Sequence, residues 1–177
     1  LQLLAWIQLG GGKELYRELV QDILKLNLVG FFTDPFPTQP LGWFKEEIKN
    51  AGQLKGLTYR TVGLAADVMQ GMGLDVLQLP GDGIIPAFKK GVIDAFEYTN
   101  PTSDRGLGAQ EVSKTYMLVS YHQAAEFFEI IFNKDIFDSL PSEHQAIIEY
   151  AAESATIAKY SMAKDRHSRD LDILITT

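Results

Sequence analysis

The middle of the chain alternates between short apolar runs and stretches in which apolar side chains recur at helical spacing. Residues 57–60, 75–79 and 91–98 are apolar runs, and each predicts a β-strand. Residues 64–72 and 84–90 place apolar side chains on one helical face, and glycines end both segments. Strand, helix, strand, helix, strand makes two successive βαβ units, which predict a parallel sheet with right-handed crossovers.

The flanking segments predict further strands and a long helix. Strands are expected at residues 28–32, 115–120 and 127–132, and helices at 13–25, at 135–139 and from about 143 to at least 168. Ser142 supplies an N-cap for the last of these helices. That helix is long for a globular protein, so it can bridge two lobes.

Two stretches rich in proline or glycine predict loops. Residues 33–42 contain three prolines within six positions, which excludes a helix and favours a fixed, extended path. Trp43 and Phe44 follow this loop, and we expect them to be buried. Residues 10–12 are three glycines before a helix, a feature that can bind phosphate through backbone N–H groups. They lack the spacing of known phosphate-binding loops, so a flexible turn is the better explanation.

Composition and charge exclude several classes of protein. The chain has 177 residues, 46% hydrophobic and 22% charged, enough for one domain or for two small lobes with a buried core. Its net charge of -7, without a basic run, argues against nucleic-acid binding. The absence of cysteine excludes disulfides, zinc–thiolate sites and cysteine nucleophiles. No apolar stretch is long enough for a membrane-spanning helix.

Both ends of the chain are apolar. Leu1 opens directly into an apolar segment, with neither an initiator methionine nor a basic region before it, so this segment is not a signal peptide. The last residues, 171–177, form an apolar run without a stop signal. We therefore expect a fragment of a longer protein, whose end segments lack partners that the whole protein would supply.

Arg60 and Glu97 carry opposite charges at the ends of two predicted strands. In open α/β sheets, ligands bind at the edge where the strands end. A guanidinium at that edge can hold a carboxylate through two parallel hydrogen bonds, and a carboxylate there can hold a cation. The pair therefore suggests capture of a small organic acid, with or without a metal ion. The alternative is two unrelated surface charges.

Four stretches, taken together, resemble one known family. The order and spacing of these stretches also agree with that family, and they are LKGLTYR (54–60), QPLGWF (39–44), LQLPGDGIIPAFKKGVIDAFE (77–97), and FNK (132–134) followed by LP (140–141). The pattern is similar to that of the DctP-type extracytoplasmic solute receptors of tripartite ATP-independent periplasmic (TRAP) transporters. The branch it resembles most binds 2-oxo acids and lactate.

The resemblance implies a partial chain of a two-lobed α/β fold, like the class II periplasmic binding proteins, with mostly parallel sheets flanked by helices and a long helix bridging the lobes. The expected divisions are a remnant of the first lobe (1–28), the second lobe (29–96), strands returning to the first lobe (97–134), and the long helix with a truncated end (135–177). It also implies a periplasmic receptor that is not an enzyme, passes a small organic acid to membrane subunits of the transporter, and in its full-length form can be a homodimer.

The resemblance also implies roles for particular residues. Arg60 would pair with the ligand carboxylate. Gln39, Glu97 and the backbone carbonyl of Tyr98 would bind a metal ion that bridges ligand and protein. Ligation by oxygen alone suits Na⁺ or Ca²⁺ rather than zinc, and no organic cofactor is implied.

Some positions depart from the family pattern. Tyr98 stands where the branch usually has tryptophan, Asn100 where glycine is common and Thr102 where an aromatic residue is common, and residues 40–41 replace Met-Gly. These changes leave the class of ligand intact but affect its size and the selectivity of the site. His122 matches a position that is often histidine near the pocket, although a structural histidine explains it equally well. The candidate ligand contacts are therefore Arg60, Gln39, Tyr98, Asn100 and His122.

Two other functions stay open at this stage. An enzyme acting on a small carboxylate would need a general base or a nucleophile aligned with its substrate. Only His122 and Glu97 are candidates, and neither lies in a recognisable catalytic motif. A sensor domain could use the same two-lobed fold, since a fold does not specify a function.

Overall fold

The computed structural model describes residues 2–176, and their contacts divide the chain into two compact units. The first unit holds the residues up to Phe36 together with Ala125–Ala163. The second unit holds Pro37–Ala124 and the residues from Lys164 onward. These bounds differ from the expected divisions at 28, 96 and 134. Residues 29–36 group with the first unit because their strand pairs there, and residues 97–124 stay with the second unit.

The described residues contain seven β-strands and seven α-helices. The strands are β1 (Leu28–Phe36), β2 (Gly42–Phe44), β3 (Thr58–Arg60), β4 (Asp75–Leu77), β5 (Ala95–Phe96), β6 (Thr115–Met117) and β7 (Glu126–Asn133). The helices are α1 (Gln2–Leu9), α2 (Gly12–Arg17), α3 (Leu64–Gly71), α4 (Gly81–Lys89), α5 (Pro101–Leu107), α6 (Lys134–Asp138) and α7 (Ser142–Thr176). A π-helical turn, Glu18–Ile23, follows α2.

The first unit is built around an antiparallel pair of strands. β1 and β7 pair from Leu28 opposite Asn133 to Phe36 opposite Glu126. β1 therefore runs beyond the expected strand at 28–32 into the proline-rich stretch. The register shifts between Thr33 and Phe36, and Pro35 lies in this irregular part, where the lack of an N–H disturbs the ladder least. Helix α7 attaches to β1, since the Thr156 hydroxyl donates to the Phe32 carbonyl at 3.0 Å.

The second unit contains a five-stranded mixed sheet in the order β4-β3-β5-β2-β6. β3 runs parallel to both of its neighbours, as the two βαβ units predict. β2 runs antiparallel to β5 and to β6, so the parallel arrangement covers three strands and not the whole sheet. This antiparallel placement brings the start of β2 beside the end of β5, with Trp43 opposite Phe96.

Each face of this sheet packs on its own apolar cluster. The cluster on one face contains Leu41, Phe44, Leu54, Tyr59, Met69, Leu74 and Ala95. The cluster on the other contains Trp43, Ile84, Phe88, Ile93, Phe96 and Ala109. Trp43 and Phe44 are neighbours in β2 and point to opposite faces, because successive side chains of a strand alternate. The expected burial of this aromatic pair is observed, with 2% and 1% exposure.

Two helices of the second unit differ from the sequence expectation. Helix α4 begins at Gly81, three residues earlier than expected, because Pro80 takes the extended conformation of an N-cap. Helix α5 was not expected at all, since its first residues look like a turn. The Asn100 side chain caps α5, and Pro101 occupies the first helical position, where a missing N–H costs nothing.

Helix α7 agrees with the expectation of a long helix that reaches at least residue 168. It extends to Thr176, and its residues belong to the first unit up to Ala163 and to the second unit from Lys164. Within the second unit, Asp170 accepts a hydrogen bond from the Arg105 guanidinium at 2.7 Å, and Leu174 packs against the cluster that contains Trp43. Among residues 2–176, no helix combines the length and the apolar character needed to cross a bilayer.

Candidate functional site

Arg60 ends the central strand β3, and its side chain is buried between the ends of two neighbouring strands. The guanidinium donates from Nε and from Nη2 to the Leu79 carbonyl, at 2.9 and 2.7 Å. Its Nη1 donates to the Glu97 carbonyl at 2.9 Å and to Glu97 Oε1 at 3.2 Å. These bonds fix the guanidinium at the edge of the sheet where the parallel strands end.

Glu97 follows β5 directly and is held beside Arg60 by main-chain and side-chain contacts. Its backbone N–H donates to the Arg60 carbonyl at 3.2 Å, which continues the parallel pairing of β3 and β5 by one residue. The two side chains form an ion pair and are only 6% and 4% exposed. A buried ion pair is weak evidence for stability, because removing both charges from water costs about as much as their attraction returns. The stability of the fold alone therefore does not explain the pair.

The guanidinium has one N–H group beyond those in the hydrogen bonds just described. Arginine carries five N–H donors, and Arg60 places one from Nε, one from Nη2 and both from Nη1 on Leu79 and Glu97. A ligand carboxylate can meet the second N–H of Nη2 at once. Two-point binding also requires the long bond from Nη1 to Glu97 Oε1 to open, so the ligand and Glu97 compete for Arg60.

Gln39 and His122 form a second polar group in the same unit. Gln39 is buried, and its backbone N–H donates to the Gln123 carbonyl at 3.1 Å. Its Oε1 lies 3.3 Å from His122 Nε2, and His122 Nδ1 lies 2.5 Å from the Ser120 hydroxyl. Burial lowers the pKa of His122 and favours the neutral imidazole. With Nε2–H donating to Gln39, Nδ1 accepts from Ser120, which defines the tautomer.

The close packing of β2 against β5 brings the Gln39 region and Glu97 to one edge of the sheet. A Cβ atom at Gly42 would lie 2.1 Å from the Phe96 carbonyl oxygen and 3.0 Å from the Glu97 Cα, and Gly42 has φ +116°. Only glycine allows this approach. Gln39 precedes β2 and Glu97 follows β5, so the antiparallel pairing of these strands places both residues at the edge that holds Arg60.

Tyr98 and Asn100 are held by neighbouring helices. The Tyr98 ring lies over the start of α4, where a Cβ atom at Gly81 would come within 3.0 Å of it. Asn100 is 3% exposed, and its Oδ1 accepts from the Ser103 N–H at 3.0 Å as the cap of α5. This bond gives the Asn100 oxygen a structural role, and the amide nitrogen is a donor group that Asn100 can also offer a ligand.

One buried carboxylate near these residues was missed by the sequence analysis. Asp104 is 1% exposed and accepts from the Thr99 N–H at 3.2 Å and from the Trp43 indole N–H at 3.0 Å. Burial raises the pKa of its carboxyl, against the effect of these donors. The sequence signal that could have identified Asp104 is the pair Asn100-Pro101, with the aspartate four residues after the asparagine, which is the pattern of a capped helix.

The oxygen donors at this edge fit an alkali or alkaline-earth cation. They comprise the Glu97 carboxylate, the Gln39 amide oxygen and the Tyr98 carbonyl, which are hard ligands of the kind that Na⁺ and Ca²⁺ accept. Across residues 2–176, no three histidine, aspartate or glutamate side chains are grouped in a way that would hold a metal ion. A site here would therefore depend on amide, carbonyl and ligand oxygens as well as on one carboxylate.

Comparison with known proteins identifies relatives of the chain. The model of the bacterial extracellular solute-binding protein family 7, DctP, matches residues 2–176. A monocarboxylate 2-oxoacid-binding periplasmic protein from Nostoc sp. is 32% identical over 156 residues, which cover 88% of this chain and 42% of that protein.

Two solved TRAP solute-binding proteins share the fold. The Bordetella bronchiseptica protein, a dimer with copurified calcium and picolinate in one site, superimposes with a TM-score of 0.88 at 31% identity, covering 99% of this chain and 51% of its own. The Pseudoalteromonas atlantica protein, with bound sodium and pyruvate, superimposes with a TM-score of 0.86 at 28% identity, covering 99% and 52%. The chain thus spans about half the length of the relatives it matches, and the expected periplasmic-binding-protein-like fold of a partial chain is confirmed.

Proposed function

The chain belongs to family 7 of the bacterial extracellular solute-binding proteins, the DctP family, and we propose that within its whole protein it captures a small organic acid for a TRAP transporter. The ligand is a 2-oxo acid, lactate or a related monocarboxylate. The receptor acts in the periplasm and delivers the ligand to the membrane subunits of the transporter. It binds and releases the acid without chemical change.

The observation that carries this proposal is the buried pair of Arg60 and Glu97 at the edge of the sheet. Arg60 is the group suited to a ligand carboxylate, because a guanidinium meets both carboxylate oxygens in one plane. Its orientation is already set by the bonds to Leu79, so little ordering is needed on binding.

Glu97, Gln39 and the Tyr98 carbonyl are the groups that would hold a cation at this site. A bound Na⁺ or Ca²⁺ supplies positive charge that ligand oxygens and Glu97 share. Glu97 then has a partner other than Arg60, and Arg60 Nη1 is available to the ligand. The neighbouring His122 holds the Gln39 amide by its Nε2–H, which leaves the second lone pair of Oε1 for the cation.

The relatives support both the class of ligand and the use of a cation. The Nostoc protein is a binder of monocarboxylate 2-oxo acids, and the solved structures hold picolinate with calcium or pyruvate with sodium. All of these ligands present a carboxylate with an adjacent oxygen or nitrogen atom. Tyr98 replaces the tryptophan common in this branch. We therefore expect the part of the pocket beside the Tyr98 side chain to differ in size from the same part in other members of the branch.

Among the described residues of the second unit, His122 and its neighbours differ from the arrangement of a catalytic triad. His122 contacts a serine hydroxyl on one nitrogen, but its other nitrogen faces the Gln39 amide and not a carboxylate. In the serine–histidine–aspartate triad, a carboxylate orients the imidazole and stabilises its charged form. Binding without catalysis is therefore the function that these contacts support.

The test is calorimetry of the whole protein with pyruvate and lactate, in the presence and absence of Na⁺ and Ca²⁺. We expect binding of at least one of these acids, and Arg60→Lys should weaken it about tenfold or more, because an ammonium cannot reproduce the fork. Arg105→Lys is the matched control. Arg105 forms an exposed ion pair in the same unit, so this change should leave the affinity unaltered. Equal affinities of the Arg60→Lys variant and the wild type would exclude the assigned role.

A further inference from the structure

The four residues from Glu97 to Asn100 connect β5 to α5 and include three of the candidate site residues. Glu97 is held to β3 through its N–H and its carbonyl, which bond to Arg60, whereas Tyr98 and Thr99 lie beyond the paired residues of β5. Asp104, one turn into α5, lies back against it. One carboxylate oxygen accepts from the Thr99 N–H at 3.2 Å, and the Asp104 N–H donates to the Asn100 carbonyl at 2.9 Å. The helix thus holds the connection at two successive points.

The other oxygen of Asp104 ties the same connection to the sheet. It accepts from the Trp43 indole N–H at 3.0 Å. Trp43 is 2% exposed, pairs with Phe96 in the sheet, and stacks on Tyr116 with ring centroids 4.2 Å apart. The indole is therefore a rigid donor. Through it, Asp104 links β2, which follows Gln39, to the connection that follows β5.

A carboxylate is the group that this position requires. Each of its oxygens accepts from a different fixed donor, and an asparagine of the same shape has only one oxygen, so it can serve only one of them. Its amide nitrogen would face the other N–H. The position also carries a cost, since burial raises the pKa of Asp104 and disfavours its charge. Buried carboxylates with a perturbed pKa and specific hydrogen-bond partners are more frequent at functional sites than elsewhere.

We propose that Asp104 is a positioning residue for the ligand and cation site: through the Thr99 N–H it sets the direction of the Tyr98 carbonyl, which belongs to the same peptide group, and through the Trp43 indole it ties this peptide group to β2. The inference rests on the proposed function for its effect on binding. Its effect on the order of the connection does not depend on any ligand.

Asp104→Asn in the whole protein tests this role, with Asp94→Asn as the matched control. Asp94 also accepts from one backbone N–H, that of Thr58, and from one side-chain donor, Lys45, but it precedes β5 and so lies at the opposite end of that strand from the site. We expect Asp104→Asn to weaken pyruvate binding, measured with Ca²⁺ present, about tenfold or more, which is the usual effect of losing a partner of a metal ligand. Asp94→Asn should change the affinity less than twofold.

Hydrogen exchange of the ligand-free protein supplies a second readout. Peptides that cover residues 97–100 should exchange faster in Asp104→Asn than in the wild type, and should be unchanged in Asp94→Asn. Both variants should melt as single folded proteins. A purely structural role predicts instead that Asp104→Asn lowers the melting temperature while affinity and exchange of residues 97–100 stay at wild-type values.

The outcomes separate this inference from the proposed function. If the wild type binds none of the acids, the proposed function fails, and exchange of residues 97–100 still decides the role of Asp104. If the wild type binds pyruvate and Asp104→Asn binds it equally well, the inference is overturned. Should Asp104→Asn fail to fold, Trp43→Phe keeps an aromatic side chain, although a smaller one, and removes the indole donor. It is expected to weaken binding in the same direction, and an unchanged affinity would overturn the inference.

Discussion

The buried ion pair of Arg60 and Glu97 makes a quantitative prediction about the stability of the second unit. Arg60→Met removes the cation while keeping most of the side-chain volume, and Glu97→Gln removes the anion while keeping an acceptor. Each single change removes one charge of the ion pair and keeps the other charge buried. The two side chains are 6% and 4% exposed. The double variant Arg60→Met/Glu97→Gln leaves neither charge, so we expect it to cost less than the sum of the single changes.

The expected size of this coupling follows from the distance between the two groups. At 3.2 Å and an effective dielectric constant of about 20, the attraction is about 5 kcal/mol. Desolvation of both groups offsets part of it. Breaking a buried pair by removing one partner costs about 3–5 kcal/mol. We therefore expect each single variant to lose about 3 kcal/mol, and the double-variant cycle to show a coupling of about 2 kcal/mol.

Urea unfolding without ligand or added cation measures this coupling. Trp43 is buried in the second unit, whereas Trp6 is 45% exposed in the first, so a Trp6→Phe background makes fluorescence report on the second unit. The four free energies of unfolding give the interaction term directly. Additivity within about 0.5 kcal/mol, the range for independent sites, would show that the two charges do not interact in solution and would refute the electrostatic argument for the site.

Three further predictions concern the same unit. Gly42→Ala should lower the free energy of unfolding of the second unit by more than about 2 kcal/mol in urea, because the new Cβ would lie 2.1 Å from a carbonyl oxygen of β5. Gly106→Ala is the control, and at its open helical position it should be neutral or stabilising. The Lys45 ammonium holds the pKa of Asp94 below its ordinary 3.8, so the stability that Asp94 contributes is present above about pH 4 and is lost as the pH falls further. The gap in melting temperature between the wild type and Asp94→Asn should therefore narrow as the pH falls below about 4, and a constant gap would contradict this. Burial lowers the pKa of His122 below its ordinary 6.5, and NMR titration of its ring nitrogens should give a midpoint below that value; a midpoint at or above 6.5 would count against a buried, neutral imidazole.

The local pattern of the sequence was enough to predict the parallel part of the second unit. β3, α3, β4, α4 and β5 all occur in the predicted order, although β4 and β5 are shorter than the predicted strands and α4 begins three residues early. Glycine and proline lie between these elements, and the apolar spacing of each is local. The same pattern could not predict α5. Its seven residues begin like a turn, and its cap and the bonds of Asp104 to Thr99 and Trp43 stabilise the helical form.

The sequence also identified the residue types at the site but not their partners. Arg60 and Glu97 were expected at strand ends, and both occur there. The sequence around Arg60 does not indicate that its guanidinium donates hydrogen bonds to the Leu79 carbonyl and to Glu97, since these acceptors lie 19 and 37 positions away. The competition between Glu97 and a ligand for Arg60 is therefore visible only in the folded chain.

What the sequence by itself determined is the set of short elements and the charged and amide side chains at their ends, because periodicity and turn residues act over a few positions. Only the tertiary structure decided which of those ends meet. The strand order β4-β3-β5-β2-β6 turns β2 antiparallel to β5, and this pairing alone brings Gln39 to the edge that holds Arg60 and Glu97. Strand order depends on how two apolar clusters fill both faces of one sheet, which is a property of distant residues together and not of any single segment.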